Sequence, residues 1–144
     1  MMKIAIEEAR AAGARGEVPI GAALVQATTG KVIARAGNRV EETRDATQHA
    51  EMLVLRAAAG LMDFRASECD LYVTLEPCAM CAAAISLARV RRLYFGAYDP
   101  KGGGVEHGPR LFAQPTIHHR PEMFGGIDEA ECAHLLTAFF KERR

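Results

Sequence analysis

The chain has 144 residues, of which 49% are hydrophobic and 25% charged, and this size and composition predict a single globular domain spanning residues 1–144. Eighteen Lys and Arg residues balance eighteen Asp and Glu residues, so net charge provides no general attraction to nucleic acid or membrane. No apolar run approaches the roughly 18 to 20 residues that span a bilayer, and the N-terminus lacks a signal-peptide pattern. We therefore expect no membrane association and a reducing, cytoplasmic location, where the four cysteines would serve metal chemistry rather than disulfides.

Helical and strand patterns alternate along the chain. The predicted helices cover residues 2–14, 49–59, 78–88 and 128–144. The predicted strands cover residues 18–27, 32–38, 70–75 and 91–96, and the first two form a hairpin. Helices that alternate with strands imply parallel pairing and right-handed crossovers, so we expect an α/β fold with a mixed sheet covered by helices.

Two stretches lack regular periodicity. The polar residues 41–45 predict a loop, after which Asp45 or Thr47 would cap the second long helix. Residues 100–126 are rich in Gly and Pro and predict a long irregular segment, and loops of that length inside a compact domain are typically functional.

One imidazole and two thiols have the spacing of a metal site. His49 stands at the start of the second long helix, and Cys78 and Cys81 lie three residues apart where the third begins, an environment that favours thiolates. Catalytic zinc usually has three protein ligands and an open position, whereas structural zinc usually has four. Cys69 would lie about 20 Å away at the other end of a strand, and Cys132 is expected to be a buried thiol of the last helix. Three ligands therefore predict a catalytic zinc site.

Glu51 separates a catalytic site from a structural one. Zinc lowers the pKa of a bound water to about 7, and a neighbouring carboxylate can take the proton and pass it to a leaving group. Residues two positions apart on a regular helix do not face one small site. We therefore expect His49 and Glu51 to use the irregular geometry of a helix entrance.

Further motifs surround these residues. They are Glu17-Val18-Pro19-Ile20-Gly21-Ala22, Gly37-Asn38-Arg39, His49-Ala50-Glu51-Met52, the run from Leu71 to Cys78, the run from Phe95 to Lys101, Glu131-Cys132 and Phe139-Phe140. Together they resemble the bacterial tRNA-specific adenosine deaminases of the cytidine and deoxycytidylate deaminase superfamily, over nearly the whole chain. The resemblance implies a three-layer α/β/α fold with a mixed, mainly five-stranded central sheet. It also implies hydrolytic deamination of adenosine to inosine at the wobble position (34) of tRNA.

The resemblance assigns chemical roles to the metal constellation. His49, Cys78 and Cys81 would hold one Zn2+ per subunit, and zinc would activate the water that attacks C6 of adenine. Glu51 would protonate the ring nitrogen and then the departing ammonia.

The resemblance also implies substrate contacts and partners. Asn38 would bind the flipped nucleoside, and the backbone near Ala50 and Glu76 would read the base. The flanking nucleotides would be met by Asp99, Lys101, Arg143 and Arg144. The implied partners are a tRNA anticodon stem-loop and a second copy of the chain, with the loop lying across both subunits of a homodimer.

Two other functions remain open at this stage. A deaminase of a free base or nucleotide, of the guanine, cytosine or dCMP type, would use the same zinc machinery behind a lidded pocket, whereas a tRNA enzyme needs a mouth open to a stem-loop. A zinc-stapled interaction module would have a fourth protein ligand and no need for Glu51.

Overall fold

The computed structural model describes residues 1–63 and 65–144. The helices are α1 (Met2–Ala14), α2 (Val40–Thr43), α3 (Ala50–Ala59), α4 (Ala79–Leu87) and α5 (Glu129–Glu142). The strands are β1 (Gly21–Gln26), β2 (Val32–Gly37), β3 (Cys69–Leu75), β4 (Arg92–Ala97) and β5 (Glu122–Phe124). No helix in the described ranges is long and apolar enough to cross a membrane.

The five strands form one mixed sheet in the order β2-β1-β3-β4-β5. Strand β1 pairs antiparallel with both β2 and β3, as the hairpin pattern predicts for the first pair. Strands β3, β4 and β5 are parallel, because α4 carries the chain back between β3 and β4. The predicted mixed, five-stranded α/β architecture is confirmed, and its parallel half brings the carboxyl ends of β3 and β4 to one edge of the sheet.

Helices cover both faces of the sheet and complete three layers. On one face, α3 and α4 bury Val54 and Ile85 against Leu71, Leu93 and Phe95 of the strands. On the other face, α1 and α5 pack on the sheet through a second apolar cluster that includes buried residues of both helices. Periodic apolar residues on each helix therefore hold the sheet in place while leaving the ends of α3 and α4 free to form a site.

Two strand glycines let α1 lie directly on the sheet. A Cβ atom at Gly21 would lie 2.0 Å from the carbonyl oxygen of Ala5, and one at Gly37 would lie 2.6 Å from that of Glu8. Because any side chain here would push the helix away, the close approach fixes α1 against β1 and β2.

The structure differs from the sequence prediction in the polar stretch before α3. Residues predicted as a loop contain the short helix α2, whose Glu41 and Glu42 N–H groups each donate to the buried carboxylate of Glu17 at 2.9 Å. Neither Asp45 nor Thr47 caps α3, because Asp45 accepts hydrogen bonds from the backbone and hydroxyl of Thr47 at 2.8 and 2.7 Å. These bonds make a tight turn that leads into α3 instead.

The segment 100–126 is also more regular than predicted. It contains a single turn of 3-10 helix at Leu111–Ala113 and the three-residue strand β5. Strand β5 pairs with β4 through Arg92 opposite Glu122 and Tyr94 opposite Phe124. The end of the segment thus completes the sheet.

Candidate active site

The site lies where two helices begin side by side. His49 is the N-cap residue of α3, with φ −75° and ψ 150°, and Cys78 is the N-cap residue of α4, with φ −70° and ψ 174°. Both residues are extended, so each side chain leaves the backbone before the helix starts, while Glu51 and Cys81 follow in the first turns. This is the irregular geometry that the spacing of His49 and Glu51 demands. The helix starts also place the partial positive charges of two helix N-termini at the site.

The three donor atoms are spaced as a tetrahedral zinc ion requires. Nδ1 of His49 lies 3.6 Å from Sγ of Cys78 and 3.5 Å from Sγ of Cys81. Zinc bonds of about 2.3 Å to sulfur and 2.0 to 2.1 Å to nitrogen, at tetrahedral angles, separate N and S donors by about 3.6 Å. All three atoms lie within 4.8 Å of one another, and they form the one His, Cys, Asp and Glu cluster of metal-binding size in the described part of the chain. The donor set therefore fits zinc with a fourth position open.

The other two cysteines lie outside this cluster, as predicted. Cys69 is buried at the opposite end of β3, with Sγ 3.3 Å from Sδ of Met62. Cys132 is buried in α5 against Gly96, where a Cβ atom would come within 2.4 Å of its sulfur. Both thiols are packed as core groups.

The protons of the metal-free ligands are shared. A hydrogen bond from Cys81 lowers the pKa of Cys78 to about 4, against the effect of burial and with further help from His49. The same bond, together with burial, raises the pKa of Cys81, and the contact with Cys78 raises the pKa of His49. The lowered pKa favours a thiolate at Cys78, and a metal bound by both cysteines would displace the proton of Cys81.

Glu51 is a buried carboxyl group beside the metal ligands. Its residue is 4% exposed, and burial raises the pKa of its carboxyl group to about 7. It lies within hydrogen-bonding reach of Cys81. Burial beside the three donor atoms therefore gives the site a carboxyl group suited to accept and return a proton.

Asn38 braces the start of α3. Its Oδ1 accepts the N–H of Ala50 at 3.1 Å, and the residue is 5% exposed. Arg15 at the end of α1 donates to the backbone carbonyl of Asn38 at 3.1 Å, so α1 also supports this position. No described hydrogen bond uses Nδ2 of Asn38. The amide thus fixes the start of the helix that follows His49 and keeps one donor group unused.

Glu76 organises the loop that borders the zinc ligands. Its buried Oε2 accepts the N–H groups of Val105, Glu106 and His107 at 3.3, 3.0 and 3.1 Å. Its Oε1 accepts the N–H of Asp99 at 3.1 Å and lies 2.8 Å from Nδ1 of His107. The side chain is therefore a loop clamp, a role that the sequence interpretation missed. The three consecutive glycines nearby are the one feature of the sequence that indicates this close packing.

The glycines make this packing possible. A Cβ atom at Gly103 would lie 2.2 Å from the carboxylate of Glu76, and one at Gly104 would lie 2.6 Å from the backbone nitrogen of Ala79. The N–H of Gly104 donates to the carbonyl of Pro77 at 2.8 Å. The loop backbone therefore lies directly on the turn that carries Cys78.

The residues implied to contact flanking nucleotides are more dispersed. Asp99 accepts the N–H groups of Lys101 and Gly102 at 3.2 and 2.9 Å and so caps its own loop, while Lys101 is exposed. At the C-terminus, the guanidinium of Arg143 lies 3.5 Å from the ring centre of Phe139. Arg144 borders a surface cavity of about 420 Å³ on α5. No described contact joins either arginine to the zinc ligands.

Comparison with known proteins agrees with this geometry. The family model for the cytidine and deoxycytidylate deaminase zinc-binding region matches residues 1–97, which contain the buried glutamate and all three donors of the candidate metal group, and the chain is therefore a hydrolytic deaminase. The tRNA-specific adenosine deaminase of Agrobacterium fabrum is 58% identical over 99% of this chain and 93% of its own length. The chain belongs to the tRNA-specific adenosine deaminase family.

Solved structures of deaminases share the fold of this chain. A structure from a study of A-to-I editing by tRNA:A34 deaminases at the wobble position matches with a TM-score of 0.89 at 58% identity, covering 94% of this chain and 97% of that one. The guanine deaminase from Nitrosomonas europaea is more distant, with a TM-score of 0.80 at 26% identity, covering 96% of this chain and 81% of its own.

Proposed function

We propose that the protein deaminates adenosine to inosine at the wobble position (34) of tRNA. The observation that carries this proposal is the buried Glu51 beside three donors spaced for zinc, in a chain 58% identical to a tRNA-specific adenosine deaminase. The reaction adds water at C6 of the adenine ring, forms a C–O bond, breaks the C–N bond to the amino group and releases ammonia.

The residues of the site divide the chemistry between them. Nδ1 of His49 and Sγ of Cys78 and Cys81 would hold one zinc ion per subunit, leaving one position open. Zinc, when bound, acts as a Lewis acid that lowers the pKa of a water to about 7. The Glu51 carboxylate would accept a proton from the attacking water, deliver it to N1 of adenine and later transfer a proton to the departing amino group. Its raised pKa matches this work, since a carboxyl group with its usual pKa would return a proton poorly at neutral pH.

Substrate positioning is proposed for residues around this centre. Nδ2 of Asn38 would donate to the flipped nucleoside, because Oδ1 already holds the N–H of Ala50. The same bond engages the Ala50 N–H, so base reading near Ala50 would depend on the surrounding backbone, together with that of Glu76. We propose that Asp99 acts through the shape of its loop and that Lys101 meets phosphate directly.

The proposal extends to the RNA and to assembly. An anticodon stem-loop would carry the target, and a homodimer would present a surface large enough to hold it, with Arg143 and Arg144 adding positive charge at the end of α5. A tRNA substrate would place the protein in the cytoplasm of a bacterial cell.

The likeness to guanine deaminase makes deamination of a free base the second candidate. The zinc-loaded protein should be incubated in parallel with a stem-loop carrying adenosine at the wobble position and with free guanine, cytosine and dCMP. Inosine in the RNA without ammonia from the small molecules supports the tRNA function. The reverse result would favour the free-base function.

The same zinc-loaded protein can be used to test whether the chain is a zinc-stapled interaction module. A wild type that deaminates none of these substrates, together with a fourth protein ligand on the metal by X-ray absorption, would support the interaction module.

A further inference from the structure

Tyr98 is an exposed aromatic residue at the edge of the sheet that leads to the zinc ligands. It is 40% exposed, whereas Tyr72 and Tyr94 stack on each other with ring centres 4.5 Å apart. Its neighbour Ala97 accepts the backbone N–H of Glu76 at 2.8 Å, and its other neighbour, Asp99, donates to the Glu76 side chain. Because Glu76 precedes Cys78 by two residues, Tyr98 is tied to the strand end that enters the active site.

Neighbouring side chains and a glycine turn hold the Tyr98 ring in place. Phe95 meets it edge to face, with ring centres 5.2 Å apart at 87°, and His107 meets it at 6.2 Å and 77°. The turn between β5 and α5 lies against it, since a Cβ atom at Gly125 would come within 2.7 Å of the tyrosine oxygen. Through His107, the ring is also connected to the Glu76 clamp. The ring therefore needs little further ordering before it binds a ligand.

An exposed and preorganised aromatic ring is a feature that RNA-binding proteins use. Unpaired RNA bases are commonly recognised by stacking on aromatic side chains, and stacking tolerates any base because each has a flat π-face. Tyr98 packs against Phe95 and the glycine turn while two fifths of the residue's surface stays exposed to an incoming base.

We propose that Tyr98 is a stacking platform for an unpaired nucleobase of the anticodon loop next to the target adenosine. The inference rests on the proposed tRNA function, because a free base has no flanking nucleotide to stack. It adds a substrate contact on the rim of the site, separate from the zinc ligands and Glu51.

The first test compares Tyr98→Leu with Tyr98→Phe in zinc-loaded protein acting on an anticodon stem-loop. Stacking on one aromatic ring contributes enough that its loss should raise KM about tenfold, within a range of roughly 5- to 160-fold, with kcat nearly unchanged. Tyr98→Phe keeps the ring and should keep KM, and Leu61→Ala, which trims a 72% exposed apolar residue elsewhere, should behave as the wild type. An unchanged KM in Tyr98→Leu, or an equal rise in Tyr98→Phe, would overturn the proposal.

Salt dependence and abasic substrates separate stacking from charge. Tyr98→Leu should weaken binding at every salt concentration with the same slope, whereas Lys101→Ala should flatten the slope if Lys101 meets phosphate. Removing the stacked base from the RNA should weaken binding to the wild type but not to Tyr98→Leu. If every abasic RNA loses the same affinity with both proteins, no base depends on Tyr98 and the inference is wrong.

A spectroscopic test does not depend on the stability of the leucine variant. The chain has no tryptophan, so Tyr98→Trp introduces a single tryptophan at the proposed platform, and its emission can be excited selectively at the red edge of tyrosine absorption. Stem-loop RNA should quench its emission, and emission that does not respond to bound RNA would contradict stacking. If the wild type forms no inosine in the stem-loop, the proposed function itself fails. If the wild type is active and Tyr98→Leu matches it, only the stacking platform fails.

Discussion

Replacing Glu76 by alanine should lower the free energy of unfolding by about 4 kcal/mol. The side chain is fully buried, and its two oxygens accept four backbone N–H groups from Asp99, Val105, Glu106 and His107. A buried donor that loses its acceptor costs about 1 to 3 kcal/mol. We use the low end for each donor because the loop lies at the surface and water can reach part of it. The loss should be accompanied by faster amide hydrogen exchange at residues 105–107.

Glu76→Gln is the matched variant. Its amide oxygen can still accept the three N–H groups that Oε2 receives, and its NH2 group can donate to Nδ1 of His107. Only the Asp99 N–H loses its acceptor, because it would face the NH2 group. We expect this variant to lose about 1 to 2 kcal/mol, close to the cost of one orphaned donor. Urea unfolding of both zinc-loaded variants measures the difference. A loss below about 1 kcal/mol in Glu76→Ala, or equal losses in the two variants, would refute the clamp.

The clamp also predicts a pH dependence of stability. Burial acts to raise the pKa of Glu76, but hydrogen bonds from His107 and the loop N–H groups outweigh it and hold the pKa below the ordinary value of 4.5. A depressed carboxyl pKa stabilises the folded state above the unfolded pKa and loses this effect as pH falls through the folded pKa. The stability difference between wild type and Glu76→Ala should therefore be full above about pH 5 and shrink in acid.

Three further predictions concern the metal site. Glu51→Gln should retain zinc while kcat falls about 10²- to 10⁴-fold, and wild-type turnover or a zinc-free variant by metal analysis would contradict its role in proton transfer. Removing zinc with a chelator should lower the melting temperature by roughly 10 °C, because the metal joins two helix starts; an unchanged melting curve would argue against zinc as a link between them. In the metal-free protein, the pKa of Cys78 of about 4 should keep its alkylation rate level from pH 8 down to about 5, whereas the alkylation of an ordinary thiol slows about tenfold per pH unit. Cys78→Ser is the control. An alkylation rate that keeps falling with pH would mean that the pKa of this thiol is not lowered.

Local patterns predicted most of the fold and the centre of the site. The long helices and four strands have enough residues to show their period, and the three zinc donors lie within short motifs whose chemistry is set by residue type and spacing. Cys69 could be excluded as a fourth metal ligand because a strand of known rise per residue separates it from Cys78. These inferences needed only residue types, their period and their spacing along the chain.

Features that depend on distant contacts could not be predicted. Strand β5 has three residues, too few to show alternation, and it forms because β4 offers an open edge. Helix α2 has four residues and exists because Glu17, more than twenty residues away, caps its N–H groups. The Glu76 clamp likewise requires the 99–107 loop to fold back onto β3, which no local pattern reveals.

The paired helix starts at His49 and Cys78 affect the electrostatic potential at the candidate metal site. A zinc ion held by these two thiolates and a neutral imidazole would carry no net charge, and an ionised Glu51 would make the group singly negative. The positive ends of α3 and α4 face this group and offset that charge. A histidine in place of Cys78 would keep three donors but shift the charge by one unit in a half-buried site. The choice of sulfur therefore sets the potential that an incoming adenine base encounters, and not only the strength with which the metal is held.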